Sequence, residues 1–165
     1  MTEALIMTVA RPAVLALLLG CGPLAQAVDF RVSIKGVIQA EIPCVVNKNA
    51  PISVPFSDVQ IAAIDGRYKT VAIDYTLDCS RSATNELRMQ VRGFPAFDRT
   101  LLEIPGFENI GIAIKKDGEP LALNSWSNFD TRKQPVLQAV LVKRDFSEVK
   151  AGAFTASATL VVDYR

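Results

Sequence analysis

The 165-residue sequence contains no histidine, no excess of either charge and no hydrophobic run long enough to cross a membrane. Without histidine, Ser-His and Cys-His nucleophilic arrangements and most zinc sites are excluded. Lysine and arginine number 18 against 17 acidic residues, so no basic surplus points to nucleic acid as a partner. No glycine motif for phosphates or dinucleotides occurs. We therefore expect no enzyme activity, no metal site and no cofactor.

Residues 1–27 are predicted to form a cleaved secretory signal peptide. The apolar run of residues 13–19 is too short to span a bilayer, and an A-x-A cleavage pattern ends at Ala27. We expect cleavage after Ala27 and export of the remaining chain. Met7 is an alternative start, and Cys21 in "LLGC" leaves a lipoprotein signal as the less favoured alternative.

Removal of the signal leaves two cysteines, Cys44 and Cys79. An even pair in an exported protein indicates a disulfide. It would close a loop of roughly 35 residues and stabilise the fold by about 3–4 kcal/mol. A metal pair is the weaker alternative, because there is no histidine and no third mature cysteine to complete a site.

The mature chain consists of short segments in which apolar and polar residues alternate, a pattern typical of half-buried β-strands. Such segments span residues 28–42, 70–79, 86–93, 109–115 and 152–165, while residues 135–142 are apolar on both sides, as in a central strand. Turn signals separate them, with a hairpin predicted in "KKDGEPL", and residues 56–65 could hold one short helical turn. The pattern predicts a single all-β sandwich.

Few side chains suggest chemistry. Asp74 and Asp78 share one face of the predicted strand 70–79, which we expect to be solvated. Arg88 and Arg92 alternate out of another strand and are interpreted as surface charges. Trp126 could be a platform on which a sugar stacks, but a packed loop aromatic is the favoured interpretation.

An unusual glycine interrupts the first alternating segment. Gly36 lies in its apolar row between Ile34 and Ile38, where a strand normally carries a side chain, and such a glycine often marks the close approach of another backbone. An alternating strand thus opens the mature chain before the first cysteine, and another ends it. The final strand needs a partner that covers its apolar side.

Together these features resemble the pilins of the chaperone–usher family over essentially the whole mature chain. The family signature is a glycine fourteenth from the end, here Gly152, and a penultimate aromatic residue, here Tyr164. An arm with a glycine precedes the first cysteine, and the Cys44 and Cys79 pair is placed as in those subunits. The stretch "NIGIAIKKDGEPLALNSW" is similar to the middle of the tip and adaptor pilins of P-type fimbriae.

The resemblance implies an incomplete immunoglobulin-like β-sandwich that lacks its seventh strand, with residues 28–38 as an N-terminal donor-strand arm and residues 39–165 as the pilin domain. A periplasmic chaperone would fill the resulting groove first, and the arm of the next subunit would replace it. The arm would insert Phe30, Val32, Ile34, Gly36 and Ile38. The acceptor groove would include Gly152, Phe154, Ala156, Ala158, Leu160, Val162 and Tyr164.

The resemblance also implies the partners and the location. They are a periplasmic chaperone, an outer-membrane usher and neighbouring subunits, and the protein would be exported through the periplasm to the fimbrium on the cell surface. The predicted function is that of a structural subunit, minor or adaptor in rank, which supports adhesion. A tip adhesin that binds a receptor directly is the alternative. It is less favoured because the chain carries an arm and has room for one sandwich only.

Overall fold

The computed structural model describes residues 33, 35, 36 and 42–165. The chain divides into two compact units, Met1–Ile38 and Gln39–Arg165, and the fold below is that of the second. The predicted signal peptide and most of the predicted arm lie outside the described residues. Among those residues, no helix is long and apolar enough to span a membrane.

Ten strands and two single-turn 3₁₀ helices make up the described domain. The 3₁₀ helices are Asn47–Asn49 and Ile61–Ala63, and the second confirms the helical turn predicted within residues 56–65. The strands are β1 (Val45–Val46), β2 (Val71–Ile73), β3 (Leu77–Asp78), β4 (Glu86–Arg92), β5 (Leu102–Glu103), β6 (Ile110–Lys116), β7 (Glu119–Leu121), β8 (Ser127–Asp130), β9 (Leu137–Lys143) and β10 (Thr159–Tyr164).

Two antiparallel sheets form the sandwich. One has the order β2-β9-β6-β5, with β7 paired to β6, and the other has the order β10-β4-β8. A small ladder joins β1 to β3. The all-β sandwich predicted from the sequence is confirmed.

The core lies between the sheets and is built from the alternating apolar rows. Met89 of β4 has no exposed surface, and Leu137 of β9 is 2% exposed. Because β9 pairs with β2 on one side and β6 on the other, the prediction of a central strand in residues 135–142 is confirmed.

Two local predictions are also confirmed. The β6–β7 hairpin pairs Lys116 with Glu119. Its turn residues Asp117 and Gly118 have φ of 53° and 87°, the left-handed geometry that a tight hairpin turn requires at both positions. Cys44 and Cys79 are joined by a disulfide.

The single strand predicted for residues 70–79 is wrong. The segment forms β2 in one sheet and β3 in a separate ladder with β1. Tyr75 lies between them, and its buried hydroxyl donates a hydrogen bond to the Pro135 carbonyl over 2.6 Å. Asp74 therefore lies between the two strands and does not share a strand face with Asp78. Alternation alone could not reveal the break, because both halves keep the same period.

The final strand is shorter than predicted. Residues 152–158 are extended but belong to no strand, and β10 begins at Thr159. The reason is the length of its neighbour: Thr159 pairs with Arg92, the last residue of β4. Residues 152–158 continue past the end of β4 and find no pairing there.

Candidate functional site

An apolar groove of about 860 Å³ opens on the described domain. It runs between the C-terminal segment, residues 150–160, and the segment of residues 52–61 that precedes β2. Its floor is the interior of the sandwich, including Val91, Leu102 and Ile112. A domain with a closed core would have covered this surface with its own side chains.

Most of the predicted acceptor residues line the groove, and two do not. Gly152, Phe154, Ala156, Ala158 and Leu160 form one wall. Phe154, Ala156 and Leu160 are only half-buried, and Ala158 is exposed. Val162 packs against the core but lies outside the groove, and Tyr164 also lies outside it. The groove therefore ends near Leu160, where β10 is already paired with β4.

The opposite wall of the groove was not predicted from the sequence. Ile52, Val54 and Phe56 alternate at period two along it, and Val59 and Ile61 continue it. The same alternation that predicted the other strands was available here. Pro51 and Pro55 lack the backbone N–H that a ladder needs, so this wall belongs to no strand and resembles a loop in the sequence.

An aromatic cluster narrows one end of the groove. The Phe154 ring lies 5.9 Å from that of Phe56 and 6.2 Å from that of Phe107. The Lys150 ammonium lies 5.4 Å from the Phe107 ring centre. The groove is thus filled by bulky rings around Phe154. Further along the same wall, the small side chains of Ala156 and Ala158 leave more space.

Beside the groove, one edge of a sheet is open. β10 pairs with β4 on one side, and no described strand pairs with its other side. Residues 152–158 have no strand partner among the described residues on either side. An edge of this kind offers a row of backbone donors and acceptors to an incoming strand.

The predicted donor residues are mostly outside the described part of the chain. Phe30, Val32, Ile34 and Ile38 fall on undescribed residues, and Gly36 is exposed. Their role as a donor strand remains a prediction.

The outer face of the three-stranded sheet holds an ion pair and an aromatic ring. Arg88 binds Asp163 across β4 and β10 at 2.9 Å. The hydrogen bond from Arg88, followed by one from the Tyr164 backbone, keeps the pKa of Asp163 below its usual range. The guanidinium of Arg88 also lies 4.4 Å from the ring centre of Trp126, and that of Arg92 lies 5.7 Å away.

This arrangement refines two interpretations. Arg88 is more than a free surface charge, since it links two strands and covers part of Trp126. Trp126 retains 37 % of its surface exposed. A sugar stacking on the ring would have to compete with the two arginines, which favours the packed interpretation.

Comparison with known proteins identifies the family of this chain and relatives with a similar sequence. The family model described as "Fimbrial protein" matches residues 32–165. The fimbrial-like protein YfcR of Escherichia coli K12 is 33% identical over 135 residues, covering 78% of this chain and 77% of its own. The fimbrial-like protein YfcQ of the same strain is 30% identical over 167 residues, covering 94% and 99%.

Solved pilus subunits share the fold. The P pilus adaptor subunit PapF matches with a TM-score of 0.56 at 20% identity, over 74% of this chain and 96% of its own. The P pilus rod subunit PapA matches with a TM-score of 0.55 at 16% identity, over 83% and 100%. The fold is thus the incomplete immunoglobulin-like sandwich of pilins. Since the family model covers most of the sequence, the chain belongs to the fimbrial protein family.

Proposed function

We propose that this chain is a structural subunit that polymerises by donor-strand exchange, in which the arm of one subunit completes the sandwich of the next. The observation that carries the proposal is the apolar groove beside the open edge of β10 and residues 152–158. A groove with an unpaired strand edge along it fits one kind of occupant, an extended peptide with alternating apolar side chains.

The chain itself contains an arm of the right length. From Gly152 to Leu160 the groove wall offers five positions at alternating spacing, a length of about 27 Å. The arm offers five alternating positions from Phe30 to Ile38, which as a strand have the same length. Matched lengths support an arm from a second copy of the chain as the occupant.

Side-chain size supports an antiparallel orientation. In that orientation Gly36 lies opposite Phe154, in the aromatic part of the groove, and Phe30 lies opposite Leu160. The parallel orientation would place Gly36 opposite Ala158, where the wall is already low. A glycine is needed where the facing wall is bulky, so the antiparallel register is the better fit.

Burial of the arm would supply the driving force. Four of its five inward positions are large apolar side chains, each of which contributes about 1.5–3 kcal/mol when moved from water into an apolar site. Their sum, roughly 6–12 kcal/mol before the cost of ordering the arm, is comparable with the whole stability of a small domain. An uncomplemented subunit should therefore need a substitute strand.

The same exposed groove supports the proposed partners. A periplasmic chaperone would cover it during export, an outer-membrane usher would bring subunits together, and the finished fimbrium would stand on the cell surface. In this proposal the subunit supports adhesion through the fibre and performs no catalysis. No feature of the described residues favours direct receptor binding over this role.

The test uses a chain that begins at residue 39 and a synthetic peptide of residues 28–38. The peptide should bind and give the truncated chain a cooperative unfolding transition, which the chain alone should lack. A peptide with Ile34→Asp should fail, because its charge would enter the groove, whereas the matched Ser33→Asp peptide should bind, because residue 33 faces outward. Equal binding of the two variants, or a truncated chain that is a stable cooperative monomer without any peptide or chaperone, would contradict the proposal.

A further inference from the structure

Four large hydrophobic side chains are exposed at the two ends of the sandwich. At one end are Phe146 and Phe94, which are 109% and 77% exposed. At the other are Ile42 and Val136, which are 70% and 57% exposed. Solvent-exposed apolar residues are common singly, but their pairing at the two ends of the sandwich suggests two contact surfaces.

The topology defines the ends. Residues 74–85 and 131–136 both cross between the sheets where β4 and β9 begin, and the disulfide ties Cys44 to this end. We call it the disulfide end. β4 and β9 finish at the opposite pole, where residues 93–101 and 144–152 lie. We call that pole the groove-mouth end, since Gly152 and the aromatic cluster are there.

Phe146 lies in the turn that follows β9. Its φ is 55°, a left-handed geometry that is unfavourable for a bulky residue, and its side chain is fully exposed. The adjacent residues are held in place: the Arg144 backbone N–H donates to the Asn109 carbonyl over 2.9 Å, and the Ser147 hydroxyl donates to the Arg144 carbonyl over 2.6 Å. The turn thus holds this aromatic ring in solvent.

The length of chain between arm and domain decides what meets this end. This step rests on the proposed function and on the antiparallel register. With Ile38 of an incoming arm beside Gly152, residues 39–43 are all that separate the arm from the disulfide at Cys44. The six steps from Ile38 to Cys44 span at most about 22 Å. The disulfide end of the incoming subunit must then lie close to the groove-mouth end of the subunit that receives it.

We propose that successive copies of this chain pack end to end in the fibre, with Phe94 and Phe146 of one copy against Ile42 and Val136 of the next. The contact is heterologous, because different surfaces meet, and it repeats along an open filament. It lies outside the groove. The arm joins neighbouring subunits, and this second contact limits the angle between them.

Cysteine labelling tests the contact in polymer formed by the mature chain. Phe146→Cys and Val136→Cys replace exposed side chains and should leave folding intact, and Asn128→Cys on the exposed outer face of β8 is the matched control. Polymerisation should lower the maleimide reactivity of residues 136 and 146 by more than about tenfold, as water is excluded from an interface core. Residue 128 should keep its reactivity.

The Val136→Cys, Phe146→Cys double variant adds a direct readout. The two positions flank β9, so they are separated by roughly 20 Å and cannot form a disulfide within one subunit. A short bismaleimide should therefore link subunits into a ladder of multimers after denaturation, because a heterologous contact propagates. Each single variant should give no ladder.

Other outcomes overturn the proposal. Unchanged reactivity at both ends in a polymer would leave donor-strand exchange standing and remove the end-to-end contact. Protection of residue 136 alone would mean that two disulfide ends meet, and equal protection of residue 128 would mean lateral packing instead. Failure of the unaltered chain to polymerise would refute the proposed function itself, and with it this contact.

Discussion

The register proposed for the arm makes a strong prediction about two positions in different subunits. If Gly36 lies opposite Phe154, a Gly36→Leu arm peptide should bind the groove poorly, because the added side chain meets the ring of Phe154 and its neighbours Phe56 and Phe107. Replacing Phe154 by alanine should remove the obstacle. The two substitutions, each harmful alone, should then partly compensate.

The structure sets the magnitudes. Overpacking a filled site costs about 1–3 kcal/mol, so the Gly36→Leu peptide should bind about 5- to 150-fold more weakly than the natural peptide. Full burial of a phenylalanine is worth about 3–5 kcal/mol against alanine. Because Phe154 is half-buried, Phe154→Ala should cost roughly 2 kcal/mol of domain stability, half of that range.

Peptide affinities for the truncated chain, measured by fluorescence anisotropy in all four combinations, give the coupling energy. We expect at least about 1 kcal/mol of favourable coupling between positions 36 and 154, as for residues in direct contact. Leu160→Ala is the matched control, since it shortens the same wall about 20 Å from Phe154. Rescue by Leu160→Ala and not by Phe154→Ala would contradict the antiparallel register. No weakening by Gly36→Leu would show that Gly36 has no steric role.

Three further predictions concern the domain, each measured by denaturant unfolding with the arm peptide bound. Replacing Cys44 and Cys79 by serine should cost about 4 kcal/mol, since the bond closes a 35-residue separation; a loss below about 1 kcal/mol would contradict the chain-entropy reasoning. Burial first, and the charge of Asp117 second, raise the pKa of Tyr75 from 10.0 to about 12. The stability contributed by the neutral phenol should be complete below pH 10 and lost as the pH rises toward 12. Tyr75→Phe should remove this alkaline loss, which the wild-type and variant pH profiles would reveal, and should itself cost about 1–3 kcal/mol by leaving a buried carbonyl unpaired. Gly111→Ala should destabilise more than Gly93→Ala, because a Cβ at position 111 would lie 2.9 Å from two other Cβ atoms, whereas the closest atom at position 93 is a terminal methyl carbon of Leu102; the reverse order would show that the loop at residues 94–101 yields easily.

Much of the fold follows from the sequence because alternation is a local property. β4, β6 and β9 each carry an unbroken apolar row facing the core, and that row identifies them as strands without knowledge of their neighbours. The disulfide could also be predicted, because the expected removal of residues 1–27 leaves two cysteines, which have one intramolecular pairing. The hairpin at Asp117 and Gly118 followed from turn chemistry that depends on those two residues alone.

Only tertiary contacts decided which alternating residues form strands and which form walls. A residue can pair in a sheet only where a neighbouring strand runs alongside it. Residues 152–158 extend past the end of β4 and so remain unpaired, although their pattern is the same as that of Thr159–Tyr164. The segment 70–79 divides because Tyr75 is anchored to Pro135, sixty residues away in the sequence.

The groove, like the strands, depends partly on the sequence alone and partly on tertiary contacts. The sequence by itself determined that residues 28–38 and residues 152–160 carry alternating apolar side chains over matching lengths, because side-chain type and spacing can be read directly from the sequence. The tertiary structure decided where the groove begins and ends, excluding Val162 and Tyr164 and adding the wall of residues 52–61. A groove is the space left between segments distant in the chain, and its shape depends on how those segments pack.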